Sequence, residues 1–418
     1  MRAWIAMIAL LAGCAPEIPD GYYACNGDTE CPEGLICRAD GRCWRTPDAL
    51  DAGARDAAPT PDDAAVDAGL DAGDLDAGTD AGGDACVPLP VDVDLLVVVD
   101  NSNSMVEEQL ELAGSFRQLV DGLVTGDVDG DLVADFAPID SLHVGVVSTD
   151  MGTGGHTVPT CARAMHGDDG VLVGDPRAPD CSGSFAPPFI AYEPPGGLSR
   201  LDEDFSCLAR LGTGGCGFEQ QLEATLKAVT PSDSAVRFFD NTVGHADGAN
   251  AGFLREGSVL ITLLVTDEED CSAADPDLFE LDSPTYTADL NLRCTEHSEA
   301  LFDTDRYVDW LLDVGSGDHS QLVFAALMGM PSDLHGATPE VILADSRMQY
   351  RPSGTRLIPA CSSPAGEASP GRRYVEVAQG LEAEGARTLL RSICEEDFSQ
   401  TVEALLSTMA PSLSARCR

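Results

Sequence analysis

Residues 95–99 form an unbroken apolar run, Leu-Leu-Val-Val-Val, that stops abruptly at Asp100. Val91 and Val93 alternate with acidic residues just before it. A short apolar run of β-branched and leucine residues predicts a strand buried on both faces, the kind found at the centre of a parallel sheet. A helix is predicted next, with Val106, Leu110, Ala113, Phe116, Val120 and Leu123 on one face. Further strands are predicted at 142–148, 258–265 and 321–327, and helices at 219–229, 303–312 and 398–409. Strands alternating with helices imply an α/β fold: a doubly wound, mostly parallel central sheet with helices on both faces. In such sheets ligands bind beyond the carboxyl ends of the strands.

Charge narrows the function. The chain has 418 residues with 71 acidic against 24 basic, a formal net charge of −47. Such a surface repels phosphate backbones, so nucleic acid is excluded as a partner. It draws divalent cations and basic partners, although an acidic excess also serves plain solubility. The fifteen cysteines are too many for a reducing cytosol unless they bind metal.

The amino terminus is read as an export signal. Arg2 supplies a positive start, residues 3–12 are largely apolar, and Leu11-Ala12-Gly13-Cys14 follows. The run is too short for a permanent span, which needs ~20 residues. It resembles a bacterial lipobox, which implies lipidation at Cys14 and removal of the preceding segment. Ala15 lacks the aspartate associated with inner-membrane retention, so the resemblance implies anchoring in the outer membrane of a Gram-negative bacterium. Setting Cys14 aside leaves 14 of the 15 cysteines, an even number that suits complete pairing in an oxidising compartment.

Cys25, Cys31, Cys37 and Cys43 recur every six residues among turn-forming Gly, Pro and Asp. Residues 20–45 are therefore expected to be a small disulfide-rich module, with zinc as the competing reading. Residues 46–84 repeat Asp-Ala-Gly at Asp51, Asp67, Asp71, Asp76 and Asp80. No large apolar residue recurs there. The stretch is expected to be a disordered tether that spans roughly 35 Å as a flexible coil. The main domain is placed at 86–418.

The strand at 95–99 leads into Asp100-Asn101-Ser102-Asn103-Ser104, and the strand at 258–265 leads into Thr266-Asp267. These segments resemble the two main motifs of the metal-ion-dependent adhesion site (MIDAS) of von Willebrand factor type A domains. The resemblance covers about 86–417 and implies Mg²⁺, or Mn²⁺ or Ca²⁺, held by Asp100, Ser102, Ser104 and Asp267. Neutral hydroxyls with few direct carboxylates suit a hard cation that stays electrophilic. The resemblance further implies a protein partner whose acidic side chain completes the metal shell. Taken alone, Asp-x-Ser-x-Ser is also a helix N-cap pattern. The family's third motif carries a threonine in a loop, whereas this chain reads Gly212-Thr213-Gly214-Gly215-Cys216-Gly217-Phe218-Glu219. A cysteine stands at the ligand position. Thr213 is the first substitute and Glu219 the second. Glu268, Glu269 and Asp270 follow Asp267 and are read as a second cation site or a solvated acidic turn.

Asp127, Asp129, Asp131 and Asp135 stand at relative positions 1, 3, 5 and 9, a spacing that resembles the calcium loops of integrin propeller repeats and competes with a plain acidic loop. Nearness in sequence pairs Cys161 with Cys181, Cys207 with Cys216, Cys271 with Cys294 and Cys361 with Cys394. Cys86 and Cys417 remain, and a bridge between the domain's ends is found in some von Willebrand A domains. The Gly- and Pro-rich residues 150–217 are read as an insertion near the metal face that carries partner specificity. Enzymatic motifs are lacking: the seven histidines form no His-Glu-x-x-His, no Gly-x-Ser-x-Gly elbow occurs, and Gly152-Thr153-Gly154-Gly155 lacks a phosphate-loop lysine. The expectation is a metal-dependent adhesion or assembly protein and not an enzyme; the alternative is a structural envelope protein with a stabilising or degenerate metal site.

Overall fold

The computed structural model describes residues 35–37, 43–45 and 91–413, apart from 132, 195, 315–317, 365 and 396. The chain divides into two units, residues 1–81 and 82–418. In the first, strands Leu35–Cys37 and Cys43–Arg45 pair antiparallel, with Cys37 opposite Cys43. The lipobox with Cys14, the remainder of the cysteine module, the Asp-Ala-Gly tether, Cys86 and Cys417 all lie outside the described residues.

The second unit is built on a six-stranded sheet. Its strands are β1 Asp92–Val99, β2 Ser141–Ser148, β3 Ile190–Tyr192, β4 Val259–Val265, β5 Leu322–Met328 and β6 Arg387–Ser392. Their spatial order is β6-β5-β4-β1-β2-β3. All neighbours run parallel except the edge strand β3, which is antiparallel to β2. The order reverses at β1, so the carboxyl ends of β1, β2 and β4 face the crevice where doubly wound sheets take ligands. This is a mixed sheet of the Rossmann and von Willebrand A type at the level of architecture.

Helices cover both faces because β1 is apolar on both. Val93, Leu95, Val97 and Val99 share one core with α1 (Val106–Thr125), α2 (Leu198–Ala209) and α6 (Ser399–Met409). Leu96 and Val98 share the other with α3 (Gln221–Val229), α4 (Asp305–Val314) and α5 (Arg372–Ala383). Completely burying one Leu or Val in these layers contributes about 1.5–3 kcal/mol.

The α1 stripe departs from expectation. Val106 and Leu110 are about half exposed, and Gln109 and Leu112 are buried instead. Gln109 turns inward because its amide donates to the carbonyls of Asp100 and Gly212 and accepts from Gly212 N–H. A polar residue thus occupies a buried helix position by satisfying backbone groups. Strands β3 and β6 and helices α2 and α5 are not foreseen by the sequence pattern. Among the described residues no helix is long and apolar enough to cross a membrane.

Two cysteine pairings are corrected. Cys161 is bridged to Cys216 and Cys181 to Cys207, instead of Cys161 to Cys181 and Cys207 to Cys216. Helix α2 carries Cys207 beside Cys181, where Arg210 also holds Asp180; the fold sets the partners, and nearness in sequence does not. Cys271 is bridged to Cys294 and Cys361 to Cys394.

Candidate cation site at the carboxyl ends of the strands

Chain direction reverses just after β1, and Asp100 organises that turn. Its backbone N–H donates to Val265 O, joining the ends of β1 and β4. Its Oδ1 accepts the Ser102 N–H at 2.8 Å, and its Oδ2 accepts the Thr266 hydroxyl at 2.6 Å. Thr266 in turn accepts an amide hydrogen from Gln221 Nε2 at 2.8 Å. The hydroxyls of Ser102 and Ser104 lie 3.3 Å apart. Ser104 also reaches the carboxylate of Asp267. Asp100, Ser102, Ser104 and Asp267 are therefore gathered in one place from segments more than 160 residues apart.

Thr213 lies on the loop that closes over this turn. Gly212 is held by Gln109, and Gly215 N–H donates to Asn101 O. A side chain at Gly215 would strike Asn101. Thr213 itself forms no side-chain hydrogen bond among the described residues, and Cys216 is committed to its bridge with Cys161. Glu219 is drawn in further. Its carbonyl accepts from Cys271 N–H, and the next residue, Gln220, donates its N–H to Thr149 O at the end of β2. Its buried carboxyl feels the charges of Asp100, Glu268 and Asp267.

The electrostatics are lopsided. Burial lifts the Asp100 carboxyl above its usual range, against the pull of its hydrogen bonds from Thr266 and Ser102. Burial, then Asp100 and Glu268, push Asp267 up to about 8. Burial, followed by the same neighbouring charges, raises Glu219 well above the ordinary carboxylate range. Glu108, one turn into α1, is also raised by burial. Buried carboxylates that raise one another in this way are relieved by protons or by a cation.

Unpartnered atoms lie on the same segments: the turn after β1, the starts of α1 and α3, and the residues after β2 and β4. Asn101 Oδ1, Glu108 Oε2, Thr149 Oγ1, Gln221 Oε1 and Asp267 Oδ1 are buried without a hydrogen-bond partner. A buried acceptor left unpaired costs about 1–3 kcal/mol. The donor set is all oxygen, neutral and anionic, which fits Mg²⁺, Mn²⁺ or Ca²⁺ and not a soft metal. Asp100, Ser102, Ser104 and Asp267 are the residues that could hold such a cation, with Glu219 the carboxylate of the third loop. Asn101, Glu108, Thr149 and Gln221 escaped the sequence reading; only the position of Thr149 after a β-strand hinted at it.

Glu269 and Asp270 are neither a second cation site nor a solvated turn. Glu269 accepts the N–H groups of Arg372 and Arg373 at the start of α5 and the Tyr350 hydroxyl. Asp270 pairs with Arg373 at 3.0 Å. Both are buried braces that tie the loop after β4 to α5. The neighbouring Glu268 accepts from the Ser369 hydroxyl.

At the second candidate, carboxylate oxygens of Asp127, Asp129 and Asp135 lie within 4.8 Å of one another. Asp131 does not join them; its Oδ1 accepts Val133 N–H. Asp127, Asp129 and Asp135 likewise accept backbone N–H groups of Gly130, Asp131 and Val128. This weak acidic cluster is largely exposed.

No family model matches the chain, and no curated protein does. Among solved structures it is similar to proximal thread matrix protein 1 from the mussel byssus, at 13% identity over 58% of this chain and 39% of that one, with a TM-score of 0.24. It is similar to the same protein with a zinc-occupied MIDAS motif, at 11% identity over 77% of this chain and 48% of that one, with a TM-score of 0.29. It is also similar to a mutant of the PilB minor pilin from Streptococcus sanguinis, at 7% identity over 78% of this chain and 62% of that one, with a TM-score of 0.30. The chain spans less than two thirds of the length of each. These are a thread matrix protein and a pilus subunit; similarity this remote adds nothing to the sheet order described above.

Proposed function

We propose that the chain is a binding protein whose α/β unit engages a protein partner through a divalent cation held by Asp100, Ser102, Ser104 and Asp267. The observation that carries this reading is the Asp267 carboxylate: it meets Ser104 on one side, keeps Oδ1 unpartnered, and is buried beside Asp100. Among the described residues no basic side chain pairs with it, which supports a cation as the group that replaces its proton. When bound, the cation would supply an electrophilic centre for an acidic side chain of the partner. The chain's own residues would fix its position, with the exposed Ser104 leaving the site open to solvent and to a partner. Enzymatic chemistry plays no part in this reading. Lipidation at Cys14, export and anchoring in an outer membrane belong to the same proposal and rest on the amino-terminal sequence.

One observation favours a second reading, in which the cation only stabilises the fold. Glu219, Asp267 and Asp100 bring three buried carboxylates together. A divalent ion among three carboxylates keeps little positive charge with which to draw an acidic partner. Calorimetric titration of Mg²⁺, Mn²⁺ and Ca²⁺ into the full chain, wild type and Asp100→Ala, tests for the site. Capture of a partner from envelope extract, with and without chelator, separates the readings. Cation binding with chelator-insensitive capture leaves only the stabilising role; no cation binding at all removes both.

A further inference from the structure

At the opposite end of the sheet, beside the amino end of β4, lies a cavity of about 290 Å³. It forms where α3 ends at Val229 and α4 ends at Val314, with Leu254 from the approach to β4. Its lining includes the half-buried Trp310 and, at its exposed rim, Asp233 and Asp313. No lysine, arginine or histidine lines it. Lys227, the basic residue in the last turn of α3, is turned elsewhere: it is buried against Asp169 and the Thr242 hydroxyl.

Each of these features favours positive charge. The last residues of α3 and α4, Val229 and Val314, both line the cavity. Helix C-termini carry a partial negative charge, although the carbonyls of Leu226, Lys227 and Ala228 in α3 accept from Thr230, His245 and Asn250. Asp233 and Asp313 enter no ion pair among the described residues. The indole of Trp310 offers a ring face of the type that attracts cations most strongly. Leu254 and Val314 supply apolar lining, and the volume is large enough for an alkyl stem.

We propose that this cavity is a binding site for an organic cation, an alkylammonium or guanidinium group that stacks on Trp310 between Asp233 and Asp313. A free amine and the side chain of a basic partner share this chemistry. The site stands independently of the cation site at the carboxyl ends of the strands.

The test is titration of the full chain with cadaverine, agmatine and a lysine-containing peptide, followed by calorimetry and Trp fluorescence. 1-Pentanol serves as the neutral probe. Binding of the cations, with affinity falling at least tenfold in Asp233→Asn/Asp313→Asn and in Trp310→Leu, is expected, along with a decline as salt is raised. Peptide binding stronger than that of the free amines assigns the site to a partner's side chain; the reverse assigns it to a small molecule. Trp310→Phe and the single variant Asp313→Asn keep the test open if Trp310→Leu does not fold. Equal binding of 1-pentanol, or cation binding unchanged in the Asp variants with an unaltered melting temperature, overturns the proposal. So does absence of cation binding to the wild type.

Discussion

Thr266 donates its hydroxyl to the Asp100 carboxylate at 2.6 Å, and so one hydrogen bond links the residues that follow two neighbouring strands. The same hydroxyl accepts from Gln221 at the start of α3. Three chain segments therefore meet at a single oxygen. Thr266→Val removes it while keeping shape, and leaves the Asp100 and Gln221 side chains each short of a partner. The expected loss is about 1–3 kcal/mol of unfolding free energy, read from urea denaturation with and without Mg²⁺. A change below a few tenths of a kcal/mol would show that the junction is not held this way.

Asp267→Asn is expected to change sign with the metal. Without cation, removing one of several mutually repelling buried carboxyls leaves stability unchanged or raises it at neutral pH and above. With saturating Mg²⁺ or Mn²⁺, the wild type gains stability by mass action, about 2.7 kcal/mol at a hundredfold excess over Kd. The variant gains little. Differential scanning fluorimetry with and without cation reads both arms. Equal cation-induced shifts in the two proteins would remove Asp267 from the site.

A separate carboxylate sets the acid limb of stability. Burial pushes Asp168 up, but hydrogen bonds from Arg163, Arg177 and Ser148 outweigh it and hold the carboxyl at about 2, below its ordinary 3.8. A depressed folded pKa gives stability that is present above the unfolded value and fades as pH falls through the folded one. Asp168 should therefore contribute fully above about pH 4 and lose its contribution between about pH 4 and 2, on the order of 2 kcal/mol. Asp168→Asn should flatten that part of a pH–stability curve measured by denaturant unfolding. An acid limb identical in the two proteins counts against this assignment.

The Cys161–Cys216 bridge closes a loop with a sequence separation of 55 residues and fixes the loop that carries Thr213. Chain-entropy reasoning places its contribution at up to about 4 kcal/mol. Cys161→Ala/Cys216→Ala should lower the melting temperature and weaken cation binding together. A variant that melts lower but binds Mg²⁺ as before would show that the bridge serves only the fold.

The parts of this fold that were legible in the sequence are those written in uniform apolar runs. The predicted bounds of β2, β4 and β5 lie within a residue of the observed ones, because residues buried on both faces leave a largely hydrophobic signal. Strand β1 begins three residues earlier than its apolar run, at Asp92. Strand β6, Arg-Thr-Leu-Leu-Arg-Ser, was missed because it lies at an edge and is flanked by arginines. Helix α5 was missed because Arg373 and Tyr374 are buried by pairing with Asp270 and by bonding Glu268 O, which periodicity does not encode. The proximity of Asp100, Ser102, Ser104 and Asp267 was legible because each follows a readable strand. Glu108 and Thr149 were not, since a glutamate in a first helical turn and a threonine after a strand are ordinary in either role. The cysteine pairings failed where an unforeseen helix, α2, carried one partner away from its sequence neighbour.

Strand β3 is only three residues long and runs against its neighbour. A rim this brief offers an approaching chain almost no ladder to extend, and β-sheet proteins avoid fibre formation by such truncation. Molecules crowded side by side at high local density would therefore slide past one another at this edge rather than zip together.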